Sequence, residues 1–191
     1  MSKNFVTTVL TGIALSLLTA TPAPAAPSEV RHGDWVVGNG VVDGVAAQYV
    51  GVSNDSRSLF VIWCPVGEEC SMRIVLDTSC DVNHEYTMLM SSSIGAAAVK
   101  IRCQGQIPSG EYRYEVLEPG ATEVAVAVAG GAKDKGVVGF AIALDGGQFR
   151  ALRFSLDGAD LALQKLLQLR EGNATVPNPS KNKTSTKNQL L

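Results

Sequence analysis

The sequence predicts a mainly β protein, an antiparallel sandwich or barrel with one C-terminal helix packed on it. Short segments rich in β-branched and aromatic residues follow one another at regular spacing within residues 31–170, which is typical of antiparallel β folds. Turn dipeptides such as Asn39-Gly40 and Pro119-Gly120 separate several of them, because these residues favour tight turns. A single late segment has helical periodicity instead.

The predicted strands follow the chain in order. They cover residues 33–37, 47–53, 57–64, 70–77, 84–92, 96–103, 112–118, 122–129, 137–144 and 149–156. Strand 84–92 alternates clearly, with Tyr86, Met88 and Met90 on one side, which predicts one buried face. The glycines around Asn39, with Gly44, are interpreted as a hairpin. A phosphate-binding loop would need a helix after it, and a strand follows instead.

The predicted helix begins after Asp157, which can cap it, and Asp160 in the first turn suits the helix dipole. Gly172 suits its end. Its apolar stripe consists of Ala159, Leu163, Leu166 and Leu167. This spacing predicts that the helix covers one face of the sheet, which is a structural role.

Residues 1–25 are typical of a signal peptide. Lys3 is the only charge before Glu29, residues 5–20 are apolar or small, and Ala23 and Ala25 form an A-x-A site. We expect cleavage after Ala25 and export to the periplasm or beyond. The apolar run is shorter than the roughly 20 residues that cross a bilayer, so we expect no transmembrane span. Residues 26–172 form the predicted domain, and the polar residues 173–191 form a predicted disordered tail.

The charge balance excludes some classes of partner. Without Lys3, the 16 basic residues become 15 against 18 acidic ones, a formal net charge of −3. A nucleic-acid-binding protein normally has a basic face, so we expect no nucleic acid. Strong attraction to anionic lipid is also not expected, although peripheral membrane association stays open. No motif indicates a cofactor.

Four cysteines, Cys64, Cys70, Cys80 and Cys103, all lie after the predicted signal peptide. An even number in an exported chain indicates two disulfides. Structural zinc sites favour cysteine pairs that are closer in sequence, so no metal is predicted. Three pairings are possible, and the predicted hairpins favour Cys64–Cys70 and Cys80–Cys103.

Catalytic candidates are few, and we expect no catalytic residue. His32 and His84 are the only histidines. A triad could combine His84 with Asp81 or Glu85, but no serine lies in a G-x-S-x-G elbow. Cysteines in an oxidising compartment are not available as nucleophiles.

The aromatic residues Trp63, Tyr112 and Tyr114 form a candidate binding surface. The alternative is that they pack the two sides of the sheet, as strand aromatics commonly do. Ile62 and Trp63 are consecutive and point to opposite faces, so a further layer must cover one of them. The C-terminal helix is the expected cover.

Several features together resemble the invasion-associated locus B family of small bacterial periplasmic proteins. They are the signal peptide, the GDWVV segment at 33–37, the cysteine-bearing unit at 64–70, and RFSLDGADLALQKL at 153–166. The resemblance implies a periplasmic or envelope-associated β protein, with a link in some members to host-cell invasion and no established catalysis. It implies no active-site residues.

The sequence therefore predicts an exported, non-enzymatic envelope protein. We expect it to bind an unidentified protein of the envelope or of a host, with an association with invasion implied by the family. A periplasmic hydrolase, or an inhibitor of one, is the alternative. A concave pocket around His84 would favour the enzyme, and an exposed apolar patch would favour the binding protein.

Overall fold

The computed structural model describes residues 29–42, 44–144 and 147–174, so the predicted signal peptide and most of the predicted tail lie outside the described residues. Ten strands and two helices form there. The strands are β1 Val30–His32, β2 Trp35–Val42, β3 Val45–Ser53, β4 Leu59–Pro65, β5 Ser71–Leu76, β6 Glu85–Ser92, β7 Gly95–Gln106, β8 Tyr112–Val116, β9 Val137–Ala143 and β10 Phe149–Ser155; the helices are α1 Gly120–Ala132 and α2 Ala159–Ala174. This architecture confirms the predicted mainly β class with a C-terminal helix.

All ten strands belong to one antiparallel sheet in the order β1-β2-β3-β4-β5-β8-β7-β6-β9-β10. The sheet curls without closing, so that strands distant in this order face one another. Phe60 of β4 contacts Phe140 of β9 and Phe154 of β10, with ring centroids 5.4 and 6.0 Å apart. These rings lie at the centre of the core, inside the curl.

Both helices pack on the inner face of the curled sheet. Helix α1 contacts β6, β7 and β9, and α2 contacts β1, β2 and β3. The side chain of Gln48 in β3 points inward and donates a hydrogen bond of 3.3 Å from Nε2 to the carbonyl of Leu169 in α2. The sheet and the helices therefore share one hydrophobic core.

The prediction of a strand over residues 122–129 was wrong, because this segment lies within α1. Its alternation of Val and Ala fits either structure. The buried residues Val124, Ala127 and Val128 follow helical spacing, whereas Val126 is 58% exposed. In a strand, Val124, Val126 and Val128 would share one face. The observed burial pattern therefore matches a helix and not a strand.

The predicted turn at Asn39-Gly40 was also wrong. Strand β2 continues through it to Val42 and pairs with β3 from Val45 onward. The glycines have another role, because the ring of Tyr49 lies across them. A Cβ on Gly38 would stand 2.8 Å from the Tyr49 hydroxyl oxygen. The short strand β1, which precedes Gly33, was not predicted.

Two disulfides join the strands, with the pairing that the sequence favoured. Cys64 bonds to Cys70 across the β4–β5 hairpin, and Cys80 bonds to Cys103 of β7. Cys64 and Cys103 are fully buried, whereas Cys70 is exposed. Each bridge therefore connects the core to a loop or strand end at the surface.

Candidate binding groove on the outer face

A groove of about 520 Å³ lies on the outer face of the sheet, across β3, β4, β5 and β8. Gln106, the last residue of β7, and the following Ile107 and Pro108 form one wall, and Val41 also lines the groove. The strand residues that line it are Tyr49, Val61, Trp63, Arg73, Val75 and Arg113. We call this feature the outer groove. Its volume lies in the range of about 300–1,000 Å³ that is usual for ligand sites.

Strand alternation directs these side chains outward. In β4, Phe60 and Ile62 point into the core, so Val61 and Trp63 point away from it. The strand register then sets their neighbours: Trp63 pairs with Tyr49 on β3, and Val61 pairs with Arg73 on β5. Val75 similarly pairs with Arg113 on β8.

Trp63 forms the floor of the outer groove and is only 7% exposed. The ring of Tyr49 stacks on it at 6.2 Å with an interplanar angle of 14°. The guanidinium carbon of Arg73 lies 5.4 Å from the Trp63 ring centroid, a cation–π distance. Arg73 Nε also donates a hydrogen bond of 3.0 Å to Ser71 Oγ. Trp63 is therefore covered by Tyr49 and Arg73, and not by the C-terminal helix.

A residue before β1 completes this cluster. The Tyr49 hydroxyl donates a hydrogen bond to the Glu29 carboxylate. Burial, this hydrogen bond and the Glu29 charge together raise the pKa of Tyr49 to about 12. Tyr49 is therefore neutral at physiological pH. Its ring stacks on Trp63, and its hydroxyl is hydrogen-bonded to Glu29.

A row of alternating charges continues from the outer groove across the outer face. Arg73, Glu115, Arg102 and Glu85 are register neighbours on β5, β8, β7 and β6. Arg102 pairs with Glu85 at 2.7 Å, and this hydrogen bond is the main reason that the pKa of Glu85 is lowered. Gln104 Nε2 donates a hydrogen bond of 2.8 Å to the Glu115 carboxylate. Opposite charges thus stand side by side beyond the groove.

The structure does not bring the three predicted surface aromatics together. Trp63 lies in the outer groove, whereas Tyr114 is fully buried on the inner face and donates a hydrogen bond of 3.1 Å to the carbonyl of Thr78. Burial, then the nearby Tyr86 and Tyr112, raise the pKa of Tyr114 to about 12. Tyr112 is half-buried against the core. Both tyrosines therefore pack against the core, as the alternative interpretation of these aromatics expected.

Sequence reasoning did not identify Tyr49, Arg73 and Arg113 as site residues. The sequence did indicate which side chains point outward, because they alternate along each strand once Phe60 is assigned to the core. It did not indicate which strands lie side by side. Only the observed register places Tyr49 opposite Trp63 and Arg113 beside Val75.

The catalytic candidates His84, Glu85 and Asp81 each contact neighbouring residues. The ring of His84 packs on Tyr86 with centroids 4.7 Å apart, and Glu85 is paired with Arg102. Asp81 accepts a hydrogen bond from the backbone of His84 through its own carbonyl. In residues 29–174, apart from the three undescribed positions, no three His, Cys, Asp or Glu side chains cluster as a metal site would. No helix within that part is long and apolar enough to cross a membrane.

Two of the features that carry the sequence resemblance, the segments 33–37 and 153–166, contact each other. The turn at Gly33 and Asp34 packs on the turn at Asp157 and Gly158. The backbone amide of Asp34 donates a hydrogen bond of 3.0 Å to the Asp157 carbonyl. A Cβ on Gly33 would stand 2.5 Å from that carbonyl oxygen, so only glycine fits this contact. These motifs therefore join the start of the sheet to the start of α2.

The fold defined here is a curled antiparallel sheet with two helices inside the curl. It is similar to the crystal structure of invasion associated protein B from Bartonella henselae, with a TM-score of 0.51 and 17% sequence identity. The match covers 76% of this chain and 98% of that chain. At this identity the likeness shows a shared fold. No protein-family model matches the chain, and no curated protein matches it.

Proposed function

We propose that this is an exported, non-enzymatic protein that binds a protein of the bacterial envelope or of a host cell through the outer groove. The observation that carries the proposal is the cluster of Tyr49, Trp63 and Arg73 in a concave part of the outer face. Tyr, Trp and Arg are the residues that most often dominate protein interfaces. A rigid aromatic and arginine cluster loses little conformational entropy on binding.

Export is supported by the two disulfides, because such bonds persist in oxidising compartments. The predicted signal peptide agrees with it. The protein of similar fold from B. henselae has a name that associates it with invasion, and we extend the proposal to host interaction on that basis. The periplasm is the first expected location, and secretion is the second.

The absence of enzymatic activity is proposed from the environment of the candidate groups. The hydrolase alternative needs His84 beside a nucleophile and an acid. The His84 ring packs on Tyr86, and the neighbouring Glu85 is bonded to Arg102. These contacts favour a structural role for the strand end, so the binding proposal is preferred.

Site-specific photo-crosslinking in the native envelope tests the proposal. A benzophenone amino acid at Ile107 would lie in the wall of the outer groove. The same amino acid at Leu89, which is exposed on the outer face of β6, is the matched control. We expect a discrete protein adduct from position 107 and none from position 89. No adduct at 107, or identical adducts at both positions, would contradict binding through the groove.

A further inference from the structure

We infer that two copies of this chain associate through β10, with their two β10 strands paired antiparallel about a twofold axis at Ala151. Such an interface uses the same surface on both copies. The association goes beyond the proposed function, because the outer groove lies on β3, β4, β5 and β8. It rests on the backbone, the register and the side chains of one edge strand.

Strand β10 is the less protected of the two edges of the sheet. Natural proteins protect edge strands by keeping them short, by covering them, or with proline and lysine. The other edge, β1, has three residues and contacts α2. Strand β10 has seven residues, and its sequence FRALRFS contains no Pro, Lys or Gly. Its one charged residue on the inner side, Arg150, is paired with Asp77 at 2.8 Å. This edge is therefore suited to pairing with a further strand.

The backbone of β10 has one side turned away from the sheet. Within the described residues, β9 is the only strand that pairs with β10. The Leu144 amide donates to the Gln148 carbonyl, so even-numbered residues turn their backbone groups towards β9. Odd-numbered residues turn theirs to the other side, where the Ser155 carbonyl accepts a hydrogen bond from Trp35. The remaining odd-numbered residues of the open edge are Phe149, Ala151 and Arg153.

This edge is complementary to itself in an antiparallel register. When Ala151 lies opposite Ala151 of a second copy, Phe149 faces Arg153 of that copy, and Arg153 faces its Phe149. Each pair joins odd-numbered residues and can exchange both backbone hydrogen bonds, about six in total. A shift by one residue would instead set these residues against even-numbered ones, whose backbone groups point to β9.

The side chains of the three pairs also fit together. Phe149 is 68% exposed in the single chain and points to the outer face. In the paired strands, Arg153 of the second copy lies beside its ring, where the aliphatic stem and the guanidinium both make favourable contacts. The small Ala151 lies at the axis, where the two copies come closest. Association therefore covers two exposed phenylalanine rings.

Sedimentation equilibrium of the exported chain tests the association. One pair of strands buries little surface, so we expect a reversible dimer that forms below about 100 μM. Phe149→Ser should weaken it about tenfold or more, because both rings lose their cover. Leu89→Ser, also exposed on the outer face, is the matched control and should have no effect. A chain that stays monomeric, or equal effects of the two substitutions, would overturn the inference.

A cysteine at the proposed axis tests the register. The two α-carbons at position 151 would lie about 5.5 Å apart, within reach of a short bismaleimide. Ala151→Cys should therefore crosslink about tenfold faster or more than Ala98→Cys, which is exposed on β7, three strands from the edge. Denaturing electrophoresis measures both rates, and peptide mapping identifies the 151–151 link. Equal rates would mean that the copies meet through another surface, and would also overturn the inference.

Discussion

The indole nitrogen of Trp35 donates a hydrogen bond of 2.9 Å to the carbonyl of Ser155. Trp35 opens β2, next to one edge of the sheet, and Ser155 ends β10, the strand at the other edge. The bond therefore joins the two ends of the strand order and holds the sheet in its curl. Trp35 is fully buried and also packs edge-on against Phe60. The curl in turn leaves the opposite, outer face available for the groove.

The most sensitive position in this junction is Gly158. Its φ is +85°, and a Cβ there would stand 2.0 Å from the His32 carbonyl oxygen. We expect Gly158→Ala to lower the free energy of unfolding by about 3 kcal/mol or more, because the left-handed backbone and the clash both add cost. Urea unfolding followed by circular dichroism measures it.

Gly67 provides the matched control for this substitution. Its φ of +83° is nearly the same, but no atom lies within 4 Å of an added Cβ. Gly67→Ala should cost only about 1–2 kcal/mol, the price of the left-handed conformation alone. Equal losses for the two variants would show that the contact between the two turns does not add to stability.

Helix α1 gives a direct test of the one predicted strand that was wrong. Val126 and Val128 would lie on the same face of a strand, but in α1 Val128 is buried and Val126 is exposed. We expect Val128→Thr to cost about 1–3 kcal/mol, because it buries a hydroxyl group. The equally isosteric Val126→Thr should change stability by less than about 0.5 kcal/mol. Similar losses in thermal unfolding would instead favour the strand.

The same contrast explains what the sequence could predict. Strands with a clear polar and apolar alternation, such as β6 with Tyr86 and Met88, were correctly assigned because period two has no helical counterpart there. The segment of α1 contains only Val, Ala and Gly over most of its length, so both periods bury apolar residues. This segment forms a helix because of how it packs against the rest of the core. The local sequence pattern carries no information about that packing.

The candidate site was predictable in part for a related reason. Trp63 was identified because aromatic strand residues are visible in the sequence. Tyr112 and Tyr114 were grouped with it on residue type, but they belong to the inner face. Which strand lies beside which depends on long-range pairing, here the placement of β8 between β5 and β7. That placement brings Arg113 to the outer groove.

The two disulfides should differ in their contribution to stability. Cys80–Cys103 spans 23 residues and Cys64–Cys70 spans 6. Loop entropy predicts a loss of about 3 kcal/mol for Cys80→Ala with Cys103→Ala, and of about 2 kcal/mol for Cys64→Ala with Cys70→Ala. Each pair includes one fully buried cysteine, but Cys80 also packs against the core whereas Cys70 is exposed, so cavity effects favour the same order. Urea unfolding of the two double variants checks the order, and a larger loss from the 64–70 pair would contradict the entropic explanation.

The hydrogen bond between Tyr49 and Glu29 predicts a pH dependence at the edge of the outer groove. The folded pKa of Tyr49, about 12, lies above the unfolded value of about 10. Between these values the unfolded state has lost a proton that the folded state keeps, so this contribution to stability is complete below pH 10 and is lost as the pH rises to about 12. Glu29→Gln should lower the pKa of Tyr49 but not that of Tyr114, whose shift comes from burial and other tyrosines. NMR titration of the two Cζ resonances measures both. A Tyr49 pKa unchanged in Glu29→Gln would mean that burial alone raises it, and that the segment before β1 does not hold the Tyr49 ring.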